Sequence, residues 1–144
     1  MFGKQTSEAG DACAQVKPGS HLCLLYETEE KYRSFVFPFL RQGLELNEKV
    51  VYSSDVHSFQ DITDMLKSVF PGEGRELLQT QFHVLSSRDT YLKYRYFDPD
   101  AMIESVREEI ELALSEGYAG LRAAGEMSWA LSGAAGAERL IEYE

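Results

Sequence analysis

The sequence of 144 residues has no long apolar run. Nothing in it approaches the roughly 18 to 20 consecutive apolar residues that a membrane span needs, and the stretch from Met1 to Gln15 is polar, without the apolar centre of a secretory signal. The expected location is the cytoplasm. Cysteine is scarce: Cys13 and Cys23 are the only two. Their spacing is far from the dense pattern of a disulfide scaffold, so no structural disulfide is expected. Basic residues are also in deficit, 14 against 24 acidic ones, for a formal charge of −10. That field repels phosphate backbones and anionic lipid headgroups, which disfavours direct binding to nucleic acid or to a membrane. Acidic clusters such as Glu108, Glu109 and Glu111 read as solvated surface.

What is present is enough apolar residue, 44%, for one domain with a real core. Residues 1–16 read as a flexible tail and residues 17–144 as the domain. The run from His21 to Tyr26 is short, apolar and bounded by turn residues, as a buried strand would be. Thr28 is placed to cap a helix that carries Tyr32, Phe35, Val36, Phe39, Leu40 and Leu44 on one face, with a kink expected at Pro38. Lys49 to Ser53 reads as a second strand. Phe59, Ile62, Leu66 and Val69 mark a second helix that Pro71 and Gly72 stop. Phe82 to Leu85 is a third strand, and the connection from Ser86 to Phe97 is rich in Tyr and Arg. Asp98 caps a third helix with Pro99 in its first turn and an expected buried stripe of Met102, Ile103, Val106, Ile110 and Ala113. Ala119 to Ala124 is a fourth strand, and Ala137 to Glu144 a last helix without a stop signal, as if the natural domain were truncated at its C-terminus.

Strands alternating with helices predict a three-layer α/β/α fold around a mostly parallel sheet. Ligands of such sheets bind beyond the carboxyl ends of the strands, which directs attention to Tyr26–Glu30, Ser53–His57, Ser86–Tyr91 and Gly125–Trp129. The stretch from Lys17 to Asp55 resembles the opening of the RecA/KaiC class of ATPases. A phosphate loop would fall between Tyr26 and Arg33, and its chemistry requires glycines, a Lys and a Ser or Thr. The segment reads Tyr26-Glu-Thr-Glu-Glu-Lys-Tyr-Arg33, with no glycine and three carboxylates. Each would repel a phosphate charge by about 4 kcal/mol at about 4 Å for an effective dielectric near 20. The usual mode of ATP binding is therefore not expected.

Gly19-Ser-His-Leu-Cys-Leu-Leu-Tyr26, Pro38-Phe-Leu40, Thr90-Tyr-Leu92, Phe97-Asp-Pro99, Gly125-Glu-Met-Ser-Trp129 and Gly136-Ala-Glu-Arg-Leu140 follow one another in an order that resembles the MEDS family. This is the sensory domain named after methanogens, methylotrophs and the regulator DcmR. The resemblance implies a RecA/KaiC-like fold without a functional phosphate-binding loop and a non-catalytic role as an input domain. It also implies a small hydrocarbon derivative as ligand, and an output partner such as a histidine kinase or transcriptional regulator. No cofactor is implied.

The residues expected to line the ligand site are Tyr26, Glu27, Tyr91, Glu126, Met127 and Trp129, because aromatic walls with a few polar tips at strand ends suit a small, partly apolar guest. Core packing is an equal reading for Tyr26, Tyr91 and Trp129. Glu126 reads as a pocket hydrogen-bonding group or as a cap for the turn that follows it. Arg88 and Arg95 could meet an anion or merely offset nearby acids. His21 and Cys23 lie two apart on the expected strand and so share a face, which suggests a metal- or redox-responsive switch, but two ligands do not complete a metal site. With no base in reach of a nucleophile, an enzyme is the weaker reading. A protein-interaction module, as a homodimer or with a partner, is the alternative to sensing.

Overall fold

The computed structural model describes residues 12–69, 76 and 79–144. Thr28 caps helix α1 (Glu29–Glu45): its hydroxyl accepts the Lys31 N–H at 3.2 Å. Glu29 and Glu30 occupy the first turn, where the helix dipole favours negative charge. α1 continues through Pro38 and buries Tyr32, Val36, Leu40 and Leu44, the face expected from their spacing. Strand β1 (Lys49–Ser54) follows. Helix α2 (Phe59–Val69) begins with a reciprocal cap, in which Ser58 Oγ accepts the Asp61 N–H and the Asp61 carboxylate accepts the Ser58 N–H, each at 3.1 Å. The stop expected at Pro71 and Gly72 lies outside the described residues.

Strand β2 (Phe82–Ser86) leads to helix α3 (Pro99–Ser115), where Asp98 accepts the N–H groups of Asp100 and Ala101 and Pro99 stands in the first turn. Strand β3 (Leu121–Gly125) comes next. The expected last helix is divided into a 3-10 turn, Ala137–Arg139, and a one-turn helix α4 (Leu140–Tyr143), preceded by a 3-10 turn at Ser128–Ser132. The three strands are parallel with β1 central, and Val50 lies opposite Phe82 on one side and Arg122 on the other.

Alternation along β1 builds the layers. Val50 and Tyr52 pack with Phe82, with Tyr32, Val36, Leu40 and Leu44 of α1, and with Ile62 and Leu66 of α2. Leu40, Val50, Ile62 and Leu66 are fully buried, and each such side chain contributes about 1.5–3 kcal/mol by leaving water. Lys49 points the other way, and its Nζ lies 2.9 Å from Glu116 and 3.7 Å from Glu109. α3 therefore covers the opposite face. Arg122 on β3 is buried against α1, where it pairs with Glu48 and donates to Phe39 O at 3.1 Å and Gln42 Oε1 at 3.0 Å. Gly43 makes room for it, since a Cβ there would lie 2.6 Å from Arg122 Cδ.

Three expectations need correction. His21–Tyr26 is not a strand, so the sheet has three strands among the described residues instead of four. An apolar run becomes a strand only with a ladder partner. This one makes no ladder bonds and leaves Leu22, Leu25 and Tyr26 exposed; only Leu24 reaches the main core. The stripe of α3 is shallower than its periodicity suggests: Ala113 is fully buried, but Met102, Ile103 and Val106 are half-buried and Ile110 is exposed. Phe59, expected to face the core, is exposed at the start of α2. Among residues 12–16, assigned from the sequence to the tail, Cys13 is buried with its thiol 3.6 Å from Phe35 O, and burial pushes that thiol's pKa up. No helix among the described residues is long and apolar enough to cross a membrane.

Backbone hydrogen exchange checks the unpaired segment. The amides of Leu22 to Tyr26 are expected to exchange at nearly unprotected rates, while those of Val50 to Ser53 exchange only through global opening. Protection of Leu22 and Leu24 comparable to that of Val50 would restore the four-stranded sheet.

Candidate functional site

The carboxyl ends of the strands carry a dense polar network. Glu126, one residue past β3, has a buried carboxylate. Oε2 accepts the backbone N–H groups of Asp55, Val56 at 2.6 Å and His57 at 3.3 Å. Oε1 accepts the Tyr52 hydroxyl at 2.8 Å and faces Nδ1 of His57. Burial pushes this carboxyl up, but the Asp55 amide, the Tyr52 hydroxyl, His57 and the Val56 amide together outweigh burial and hold it below the usual carboxylate range. The Tyr52 hydroxyl also meets that of Tyr32. Burial raises both phenols, so they stay protonated.

His57 spans the gap to α1. Its Nε2 lies 2.9 Å from Glu29 Oε1, and its ring stacks on Tyr32 with centroids 4.9 Å apart and planes 4° from parallel. Tyr26 tilts against Tyr32 at 5.1 Å. A second carboxylate, Asp55, ties the remaining loops: Oδ1 accepts Ser87 Oγ at 3.0 Å and Oδ2 accepts Ser128 Oγ. Ser53 Oγ meets Thr90 Oγ1 at 2.6 Å. The three loops that leave β1, β2 and β3 are thus cross-linked by two acids.

A separate aromatic cluster lies beside this network. Trp129 stacks on Tyr91 at 5.2 Å and 25° and tilts against Phe97 at 5.2 Å; Tyr143 of α4 meets Tyr91 and Phe97 edge-on at 6.3 and 5.9 Å. Trp129 and Phe97 are buried, and Tyr91 nearly so. Met127 and Met102 pack against them. Two glycines permit this closeness, since a Cβ on Gly125 would overlap the Tyr91 hydroxyl and one on Gly136, at φ +84°, would overlap the Phe97 carbonyl. The indole Nε1–H of Trp129 is buried and has no hydrogen-bond partner. A neighbouring crevice between Thr90, Tyr91, Tyr94, Tyr96 and Met102 holds about 10 Å³, the room of one water.

The six expected site residues therefore divide. Tyr91, Met127 and Trp129 come together in the aromatic cluster, Tyr26 and Glu126 belong to the polar network, and Glu27 stands apart, solvent-exposed and 3.7 Å from Lys31. Arg88 and Arg95 are exposed, with no ion pair among the described residues. His21 pairs with Glu144 at 3.1 Å and meets the Tyr143 ring, while Cys23 is an exposed free thiol. Among the described residues, no three His, Cys, Asp or Glu side chains converge as a metal site would require. Glu29, Asp55, His57 and Ser128 lie in the strand-end segments singled out from the sequence but are not among the residues expected to line the site, and Tyr32 and Tyr52 fall within the expected helix and strand. One signal was available, the polar run Ser53-Ser-Asp55 with His57 at the end of an otherwise apolar strand.

A small parallel α/β domain whose strand ends are occupied by its own acids, phenols and imidazole has the makings of a recognition or regulatory module. The chain matches the profile of the MEDS family, the methanogen/methylotroph, DcmR sensory domain, over residues 20–144, and it belongs to that family. Its role is that of a signal-input domain, of a family that is typically non-catalytic. Comparison with curated proteins and with solved structures gave no match.

Replacing Glu126 tests the polar network. Glu126→Gln keeps the shape but turns an amide N–H₂ toward donors, and is expected to cost about 3 kcal/mol in urea unfolding. Because the native carboxyl is held below its unfolded pKa, its contribution is complete above that value and fades as pH falls through the native one. The variant should show a flatter loss of stability on the acid side than the parent; parallel acid limbs would contradict the assignment.

Proposed function

We propose that the signal is a small organic molecule, a hydrocarbon derivative bearing a hydrogen-bond acceptor, taken up by the aromatic cluster around Trp129. The observation that carries this reading is the buried indole N–H without an acceptor. An unpaired buried donor costs about 1–3 kcal/mol, and a ligand acceptor would recover that. Tyr91, Phe97 and Met127 supply the apolar walls, and Tyr143 on the one-turn helix α4 is the piece that moves aside. Met127 directly follows Glu126, so a ligand that shifts Trp129 pulls on the acid that ties the strand-end loops. In this reading Tyr26 and Glu126 transmit the signal and do not contact the ligand. The output is a partner domain or protein, a histidine kinase or a transcriptional regulator, that favours one arrangement of those loops.

The fold is read as RecA/KaiC-like with its nucleotide function absent. Support comes from the parallel β2-β1-β3 sheet, the acid placed just past β3, and the glycine-free turn before α1, where Glu29 meets His57 instead of a phosphate. The chemistry is binding without catalysis, and no cofactor takes part. An alternative, in which the domain docks to protein partners or to a second copy, is favoured by the closed strand ends and by Leu25 and Leu131, which are 90% and 92% exposed.

Trp129 is the single tryptophan of the chain, so its fluorescence reports directly on the cluster. Titration with small halogenated, methylated and aromatic compounds, checked by calorimetry, is expected to give a saturable change for at least one class. Trp129→Phe should weaken that binding about tenfold, the worth of one hydrogen bond, while leaving stability equal or slightly higher. Tight magnesium-dependent ATP binding, or equal affinity in the Phe variant, would refute the site; dimerisation in light scattering without any ligand response would favour the docking alternative.

A further inference from the structure

His57 is held by a carboxylate on each ring nitrogen, Glu126 at Nδ1 and Glu29 at Nε2. A neutral imidazole has one N–H. It can satisfy one of these acids and must turn a lone pair toward the other. With both acids ionised, the two contacts are attractive together only when the ring is an imidazolium, so this geometry favours a bound proton. The three groups come from separate elements: Glu29 from the first turn of α1, His57 from the loop after β1, and Glu126 from the end of β3. One proton thereby fastens α1 to the strand ends.

We propose that Glu29, His57 and Glu126 form a proton-binding site that gives the domain a second input, one that needs no ligand in the aromatic cluster. On deprotonation the proton leaves Nε2 for water. Nδ1–H stays with Glu126, which is anchored by the amides of Asp55, Val56 and His57 and by the Tyr52 hydroxyl. The contact that breaks is the one to Glu29, whose side chain is 48% exposed. The first turn of α1 is then released, and with it Tyr32, which stacks on the ring, and Tyr26, which leans on Tyr32.

The surrounding groups agree with this direction. Burial lowers the His57 pKa, but its hydrogen bonds to Glu126 and Glu29 and their charges more than offset that and raise it above the ordinary imidazole value. Glu29 is held below the usual carboxylate range: burial pushes it up, and His57 and Arg33 bring it down by more. Asp61 on α2 faces His57 as a further negative charge, and Arg33 on α1 is the opposing positive one, already 3.2 Å from Glu29. Tyr26, Tyr32 and Tyr52 remain neutral phenols, raised mainly by burial. The stabilisation from His57 is complete below the unfolded imidazole pKa and is lost as pH rises through the raised native one. Glu126 and Glu29 lose theirs only in acid. The clasp is closed between those limits and opens on the alkaline side.

The test is a nitrogen-15 NMR titration of the imidazoles in the full chain, with backbone amides followed in parallel. His57 is expected to titrate above the ordinary value of about 6.5, to pass from the doubly protonated form to the Nδ1–H tautomer, and to carry the amides of Glu29 to Arg33 with the same midpoint. Glu29→Gln, at a half-exposed position compatible with folding, should lower that midpoint and abolish the coupled amide shifts. A midpoint at or below the ordinary value, an Nε2–H neutral form, α1 amides that do not follow the ring, or a midpoint unchanged in Glu29→Gln would each overturn the proposal. The titration needs no ligand, so its outcome is separate from that of the Trp129 experiment.

Discussion

A carboxylate removed from water must find donors or give up its charge. Glu126 finds five, three amides and two side chains, and they belong to the segment that leaves β1 and to β1 itself. The acid stands just past β3 and its donors on and just past β1, so satisfying it fixes the loop after β1 against the end of β3. Asp55, whose amide is one of the donors, then extends the tie to Ser87 after β2 and Ser128 before Trp129. Without Glu126 the loops after β2 and β3 would still meet through Tyr91 and Trp129, but the buried charge that draws residues 55–57 onto the end of β3 would be gone.

The aromatic cluster depends on the same register. Gly125, Glu126, Met127, Ser128 and Trp129 are consecutive, and they supply in turn the close approach to Tyr91, the buried charge, a packing surface for the cluster, the bond to Asp55, and the indole. The run leaves β3 at Gly125 and enters the 3-10 turn at Ser128, and its side chains fall alternately to the two sides, so one short run serves a polar network and an apolar cluster at once. Gly136 completes the cluster from the other side, since its left-handed conformation brings the chain onto Phe97, whose N–H donates to Ala135 O at 2.7 Å. The two halves of the strand-end region are therefore mechanically joined through the chain, although their side chains are chemically distinct.

The sequence makes the periodic elements legible. β1, β2, β3 and the helices α1 and α3 lie within two residues of their expected bounds, because buried apolar residues at the period of a strand or helix leave a local signal. The ladder status of His21–Tyr26 is not local. Its composition suits a strand, but pairing depends on an edge placed by the rest of the fold, and here the segment runs instead between Glu144, met by His21, and Tyr32, met by Tyr26. The division of the strand-end region is equally hidden. Tyr91 and Trp129 do lie together with Met127, yet nothing in their order reveals that Glu126, the neighbour of Met127, turns inward to the amides of 55–57. His57 and Glu29 are 28 positions apart, and Glu126 lies 69 beyond His57; a charge triad of that span has no spacing rule.

The acidic turn before α1 gains a physical meaning from this geometry. A helix N-terminus with free amides attracts anions, and the same end of a parallel α/β unit is where many domains of this architecture hold a phosphate. In this domain Thr28 takes the Lys31 amide, Glu29 supplies the negative charge, and the imidazole of His57 answers it from the strand side. The electrostatic demand of the helix end is met internally. An external anion would have to displace Glu29 from both His57 and Arg33 and would still face Glu27 and Glu30 nearby. The protein's own carboxylate occupies this end of the sheet, while the uncharged aromatic cluster beside it keeps one buried indole N–H without a partner.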